Sequence, residues 1–573
     1  MAVRNSEIAE IFDELADLLE IEGANPFRVR AYRNAARVVG GYSKSMADLI
    51  DEGHDLSELP GIGKDLAQKI ETIVEAGSLP LLEEVKGRTP EALGELTHIA
   101  GLGPKRVQVL YHELGIDSLE DLTRAVEDGR IRELEGFGAK SEEKIKQGIE
   151  RLAGAEKRTL LVNAEEVAEP LVEHLKKSKG IKQITVAGSY RRRRETVGDL
   201  DILATCKRDS NVMDRFVDYD EIEEVVSKGT TRSTVLLRSG LQVDLRVVPE
   251  VSYGAALAYF TGSKAHNIAV RKIGVGKGYK TNEYGIFKGE KRIAGKTEEE
   301  VYEAVGLPYI EPELREDRGE IDAAKAGKLP KLIRLQDLRG DLHIHTKATD
   351  GHDTIERIAK AAAERGLDYI AVTDHSKHVA MAHGLDAKAL RKQLAEIDRL
   401  NERDLGVTLL KGCEVDILED GSLDLPDDVL AGLDITVCAV HYNRELSRKK
   451  QTDRIIRAMD DPHFHILAHP TGRLLNEREP YAVDVGRLLE AAKERGCCVE
   501  LDGQPSRLDL PDNYCKLAKE MGVPVAISSD AHSAAQLDYL RYGIDQARRG
   551  WLERGDVVNA RSLTQLRKLL KRG

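Results

Sequence analysis

The chain has 573 residues, 41% hydrophobic, 32% charged and only 4% aromatic, with a formal net charge of −13. That length exceeds what one hydrophobic core serves, and the acidic balance excludes a uniformly basic nucleic-acid coat, so any nucleic-acid contact must come from local features. No apolar run approaches the ~20 residues of a membrane span, the opening "MAVRNSEIAE" has no signal-peptide core, and six cysteines form no C-x-x-C pair, which predicts a soluble cytoplasmic protein in a reducing setting.

The first 150 residues repeat one pattern: "LPGIGKDLAQKI" (59–70), "IAGLGPKRVQVL" (99–110) and "LEGFGAKSEEKI" (134–145). Each places a G-x-G pair before an amphipathic, basic helix: Gly61 and Gly63, Gly101 and Gly103, Gly136 and Gly138. Glycine allows a tight turn with positive φ, and the free N–H groups at the next helix start can bind a phosphate without reading a base. The pattern resembles the helix-hairpin-helix motif of DNA repair and replication proteins. A single G-x-G is an ordinary helical-hairpin turn; three of them predict binding to a DNA backbone.

After a helical connector the pattern turns to strands: "KQITVAGSY" (182–190), four arginines, then "DLDILAT" (199–205). Alternation along a strand puts Asp199 and Asp201 on one face. A hairpin around Ser239-Gly240 in "STVLLRSGLQVDLRVV" (233–248) presents Gln242, Asp244 and Arg246 opposite Val243, Leu245 and Val247, so Asp244 can complete a three-carboxylate cluster. Such a cluster repels itself without cations and suits two Mg²⁺ or Mn²⁺ ions working on a 3′ hydroxyl and a triphosphate.

Together these residues resemble the family X DNA polymerases, whose nucleotidyltransferase core carries G-S-x-R-R … G-D-x-D. The resemblance continues in "YFTGSKAHNIAVR" (259–271), close to the nucleotide-binding segment of DNA polymerase beta, and in "GYKTNEYGIF" (278–287). It implies that Ser189, Arg192 and Gly198 bind the incoming triphosphate, that Tyr259, Phe260 and Gly262 line its sugar and base, and that Asn267 and Arg271 approach the nascent pair. Arg193 stands where the family has a small residue. Lys69 aligns with the family's Schiff-base lysine, whereas two supporting lysines are replaced by Arg28 and Asp65; an aspartate there favours the protonated amine and works against lyase chemistry.

Residues 312–338 read as a charged connector. Seven apolar strands then alternate with helical patterns: residues 340–345, 367–375, 407–417, 433–441, 464–470, 497–503 and 523–532. Eleven of the sixteen histidines lie in this half, and the strand ends gather His343, His345, Asp350, His375, Glu414, His441, His469, Asp530 and His532. Nine such residues at successive strand ends predict two or three Zn²⁺, Mn²⁺ or Fe²⁺ ions rather than Mg²⁺ alone. The arrangement resembles the PHP (polymerase and histidinol phosphatase) domain, which implies a trinuclear centre and phosphoester hydrolysis. His352, His378, His383, His463 and His465 are expected behind the ligands, at phosphates or on the surface, and Arg507 as a phosphate contact.

The expected fold is multidomain α+β and α/β: a helical helix-hairpin-helix region, a nucleotidyltransferase palm with a mixed β-sheet, and a distorted (β/α)7 barrel. The expected boundaries are 1–85 (lyase-like, DNA-binding), 86–155 (helix-hairpin-helix fingers), 156–250 (palm), 251–315 (thumb-like, nucleotide-binding), 316–338 (linker) and 339–573 (PHP). The expected function is gap-filling DNA synthesis from deoxynucleoside triphosphates on gapped or nicked DNA. It is coupled to end processing as a 3′–5′ exonuclease, abasic-site endonuclease or 3′-phosphatase, by a monomer that needs no membrane. Rival readings are an end-processing nuclease with weak synthesis, and a DNA-binding scaffold with a structural metal barrel.

Overall fold

The computed structural model describes the chain except residues 1–4, 41–45, 52, 60, 87–92, 94, 95, 97, 98, 100, 101, 135, 155–157, 572 and 573. It divides into two compact units, Met1–Lys157 and Arg158–Gly573.

The first unit is helical among its described residues. Helices Asn5–Ile21, Pro26–Gly40 and Lys64–Ala76 bury one face each around Phe12, Leu15, Tyr32, Leu66 and Ile70. A second cluster joins helices Pro104–Leu114, Leu119–Glu127 and Ala139–Gly154 through Val107, Leu110, Leu122 and Ile145. The apolar spacing of three and four residues in each helix accounts for these faces.

The second unit opens with a five-stranded mixed sheet of β1 (Ile181–Val186), β2 (Asp199–Cys206), β3 (Ile222–Lys228), β4 (Arg232–Leu237) and β5 (Gln242–Val247), in the order β1-β2-β5-β4-β3. Only β2 and β5 run parallel, in a register that sets Asp199 beside Gln242 and Asp201 beside Asp244. A helical layer and a small antiparallel sheet follow: β6 (Lys280–Asn282), β7 (Gly285–Lys288) and β8 (Lys291–Ala294).

The segment read as a charged connector is packed. Glu320–Lys325 is helical, and Ile321, Ala324, Leu332, Ile333 and Leu338 are buried. Its charges find internal partners, Glu320 on His266 and Arg318 on Asp512, so sequence polarity concealed a folded segment.

Seven parallel strands make the barrel: β9 (Gly340–Asp341), β10 (Tyr369–Val372), β11 (Thr408–Asp416), β12 (Ile435–Ala439), β13 (Ile466–Leu467), β14 (Cys498–Asp502) and β15 (Val525–Ser528). The seam between first and last strands is held by an isolated bridge, Ile344 to Ala531, and by Asn559, whose amide donates to Gly340 O and Ile527 O at 2.7 Å each. Tyr369, Val437, Ile466, Leu566 and Leu570 belong to the core cluster that fills the barrel, while the outer strand faces pack on the helices. Leu508 and Tyr542 from the barrel side enter the core of the mixed sheet, and the two layers share one apolar cluster.

Candidate active sites

The first site grows from the register of β2 and β5, which brings Asp199, Asp201 and Asp244 together on one face. Burial, then Asp199 and Asp244, push Asp201 up to about 6. Desolvation and Asp244 also raise Asp199. Asp244 is buried, accepts from the Thr234 hydroxyl and lies 3.3 Å from Arg232. Carboxylates that resist ionising together are a ready site for a divalent cation, so the donor set fits Mg²⁺ or Mn²⁺.

Beside them opens a cleft of about 760 Å³ lined by Asp199 and Asp201 and by all eight residues expected around a nucleotide: Ser189, Arg192, Gly198, Tyr259, Phe260, Gly262, Asn267 and Arg271. Gly262 has φ 68°, and a Cβ there would stand 3.1 Å from Arg192 Nη1, so glycine admits the arginine. Asn267 donates to Tyr259 O at 2.7 Å, and Arg246 covers the Phe260 ring at 4.5 Å. Arg158, Arg194, Lys264 and Asn282 also line the cleft and were not singled out from the sequence.

The four arginines do four different things. Arg191 grips Glu298 through two hydrogen bonds of 2.9 and 2.5 Å. Arg192 donates to Glu316 at 3.0 Å and to Thr261 O at 2.5 Å. Arg193, at φ 56°, pairs with Glu165 and Asp545 at 2.6 Å each. Arg194 lines the cleft and lies 3.9 Å from Glu316.

The second site sits at the carboxyl ends of the barrel strands. Three groups have ligand atoms within 4.8 Å of one another: His345, Asp350, His375 and His532; His343, His345 and Asp530; and His375, Glu414 and His441. His469 joins through Nε2, 3.0 Å from Glu414 Oε1. All nine expected residues therefore converge. His375 Nδ1 and Glu414 Oε2 approach to 2.7 Å, yet both are buried and outside hydrogen-bonding geometry. Two buried ligand-capable atoms this close and unsatisfied suit a metal ion, and the mixed imidazole and carboxylate set fits Zn²⁺, Mn²⁺ or Fe²⁺. Burial alone would raise Glu414, but His375, His441 and His343 hold it well below the usual carboxylate range.

Residues behind these orient them. His343 Nδ1 faces Glu500 Oε1 at 2.8 Å, and His441 Nδ1 faces Asp416 Oδ1 at 3.1 Å, which turns each Nε2 toward the cluster. Glu500 and Asp416 were missed in the sequence. Asp416 lies two residues after Glu414 on one strand, and that shared face was the available signal. Of the other histidines, His378 lies 3.4 Å from Asp416, whereas His465 faces Thr436.

In the first unit, Gly61 and Gly136 take φ 86° and 81°, and Gly63 and Gly103 cap their helices without a side-chain bond. A Cβ on Gly61 would meet Asn34 Nδ2 at 2.2 Å. Gly138 precedes helix Ala139–Gly154, and Gly101 falls outside the described residues. Lys69 is ion-paired with Asp65 one turn away and largely covered.

Five family models match: Helix-hairpin-helix domain (3–79), SAM-like Helix-hairpin-helix tandem (93–151), DNA polymerase beta palm (162–250), DNA polymerase beta thumb (256–316) and PHP domain (341–502). The chain is 36% identical over 577 residues to the DNA polymerase/3′-5′ exonuclease PolX of Bacillus subtilis (strain 168), covering 100% of both chains. A probable phosphatase of Thermoanaerobacter sp. (strain X514) is 35% identical over 204 residues, 34% of this chain and 78% of that protein. DNA polymerase lambda of Arabidopsis thaliana is 29% identical over 351 residues, 54% of this chain and 62% of that protein.

Proposed function

The chain belongs to the family X DNA polymerases that carry a C-terminal PHP domain, and from that premise we propose how its residues divide the work. It is a DNA polymerase and a metal-dependent phosphoesterase, filling short gaps in DNA repair and processing DNA ends. Asp199, Asp201 and Asp244 would hold Mg²⁺ or Mn²⁺, which supplies the positive charge needed to activate a 3′ hydroxyl and neutralise a triphosphate. Ser189, Arg192 and Gly198 grip the phosphates; Tyr259, Phe260 and Gly262 line sugar and base; Asn267 and Arg271 sense the nascent pair. Their work is positioning and fixed charge.

The barrel ligands His343, His345, Asp350, His375, Glu414, His441, His469, Asp530 and His532 would hold two or three Zn²⁺, Mn²⁺ or Fe²⁺ ions, whose Lewis acidity serves phosphoester hydrolysis. Glu500 and Asp416 fix the imidazole tautomers. We assign 3′–5′ excision as the leading end-processing activity. The hairpin glycines hold the DNA backbone, and the ion pair with Asp65 engages the Lys69 amine that imine formation would need free. Six free cysteines fit a reducing cytoplasm, no described helix is long and apolar enough to cross a membrane, and a monomer on gapped or nicked DNA is proposed.

The observation that carries this reading is the convergence of three strand carboxylates beside a cleft lined by every expected nucleotide contact. The test is a pair of variants on one-nucleotide-gapped and 3′-recessed DNA. Asp199→Ala should abolish synthesis and spare excision, and His343→Ala should do the reverse. Survival of both activities in both variants would refute the assignments.

A further inference from the structure

Three arginines stand at the ends of three adjacent barrel strands: Arg444 after β12, Arg478 after β13 and Arg507 after β14. Arg444 and Arg478 are anchored through Nε at the metal-ligand cluster or at the turn beside it, and Arg507 stands within ion-pair distance of two carboxylates there. Arg444 Nε donates to His441 O at 3.0 Å. Arg478 gives Nε and Nη2 to Gly472 O at 3.1 and 2.7 Å, and Gly472 in turn donates its N–H to His469 O at 2.9 Å. Arg507 Nε lies 3.5 Å from Asp502 and 3.7 Å from Asp530.

Among the described residues, no carboxylate comes within ion-pair distance of Arg444 or Arg478, unlike the arginines of the 191–194 run. The three also feel one another: burial, then the charges of Arg444 and Arg507, hold Arg478 below the ordinary guanidinium value, with Glu477 and Asp509 opposing weakly. Gathering like charges on a half-covered rim costs free energy unless an anion joins them. Fixing Arg444 and Arg478 by Nε leaves the Nη groups of Arg444 and Nη1 of Arg478 to meet that anion in a set geometry, with the Arg507 guanidinium beside them.

We infer that Arg444, Arg478 and Arg507 form a track for the DNA backbone, binding phosphates next to the one hydrolysed. The site therefore takes a polynucleotide strand in preference to an isolated phosphate ester. The track borders the His441, His469 and Asp530 side of the cluster, so the strand enters across the ends of β12–β14. This deepens the phosphoesterase reading of the barrel and rests on it.

The test compares two substrates of the full-length protein with Mn²⁺: a single-stranded oligonucleotide, and the p-nitrophenyl ester of thymidine 5′-phosphate, which has one diester and no neighbouring phosphate. Arg444→Ala and Arg478→Ala should each lower the ratio of kcat/KM on the oligonucleotide to that on the ester by about tenfold, mainly through KM. Each should also flatten the log–log salt dependence of excision by about 0.7, the value for one phosphate contact on a single strand. Arg478→Lys should recover part of both effects, and bound metal measured by elemental analysis should match the parent protein. A ratio and salt slope unchanged, or activity on both substrates lost in parallel, would overturn the track, because the arginines would then only brace the loops. A parent protein whose ester hydrolysis is insensitive to His343→Ala would instead overturn the phosphoesterase reading itself.

Discussion

Glu316→Gln isolates one charge between the cleft and the barrel. Glu316 Oε1 accepts from Arg192 and from Arg549, each at 3.0 Å, and its side chain is only 9% exposed. Burial alone would raise its pKa, but Arg549, Arg192 and Arg194 bring it down from 4.5 to about 2. That shift corresponds to roughly 3 kcal/mol of folded-state stabilisation at neutral pH. Because the folded pKa is depressed, this contribution is complete above pH ~4.5 and is lost as pH falls from there toward 2. The glutamine variant should therefore lose about 3 kcal/mol at pH 7 in urea unfolding, and the difference from the parent should vanish near pH 2.

The same change should strengthen nucleotide binding. Arg192 lines the cleft, and Glu316 offsets its charge. Removing one negative charge near an incoming triphosphate is worth about 1 kcal/mol at a water-like dielectric, or about a fivefold lower KM for the nucleotide. Steady-state filling of a one-nucleotide gap at saturating DNA reads it. A KM that rises would mean that Glu316 positions Arg192 rather than competing for it, and would refute the reasoning.

Arg193→Ala strands Asp545, while Glu165 keeps Arg541 and Tyr542, and should cost about 3 kcal/mol in chemical denaturation, with Arg193→Lys losing less. Asp416→Ala removes the acceptor behind His441 and should weaken barrel metal binding about 10–100-fold in chelator competition, with gap filling intact. Lys69→Ala should leave borohydride trapping on abasic DNA at the parent's low level, since Asp65 already engages the amine in an ion pair; a large loss of trapping would restore Lys69 as a lyase nucleophile.

The sites were legible where one local rule places a side chain. Period-two alternation put Asp199 with Asp201, and hairpin geometry put Asp244 beside them. The convergence of the strand-end histidines and carboxylates was legible because each follows its own apolar strand, and a parallel barrel gathers such ends at one rim. What stayed hidden depends on partners distant in sequence. The work of Arg191, Arg192 and Arg193 is set by Glu298, Glu316 and Asp545, and no local pattern links those positions. The packed 316–338 segment was hidden for the same reason: its charges read as solvent-facing until His266 and Asp512 arrive opposite them.

These distant partners explain why a polymerase fold would lengthen its arginine run. Arg192 faces the cleft, but its own carbonyl accepts from Arg549 at 2.9 Å, and Arg549 is 3% exposed and also pairs with Asp512 at 2.6 Å. Arg193 reaches Asp545 on the same barrel helix, Leu540–Arg549, and Glu195 takes Arg473 at 2.5 Å. The loop that holds the cleft arginines is thus fastened at three points to the hydrolase barrel. Leu508 and Tyr542 extend that attachment into the apolar core of the mixed sheet. Exchanging a whole buried charge pair for apolar groups changes stability little, but separating its partners is strongly penalised. The barrel therefore fixes the backbone from which Arg192 extends into the cleft.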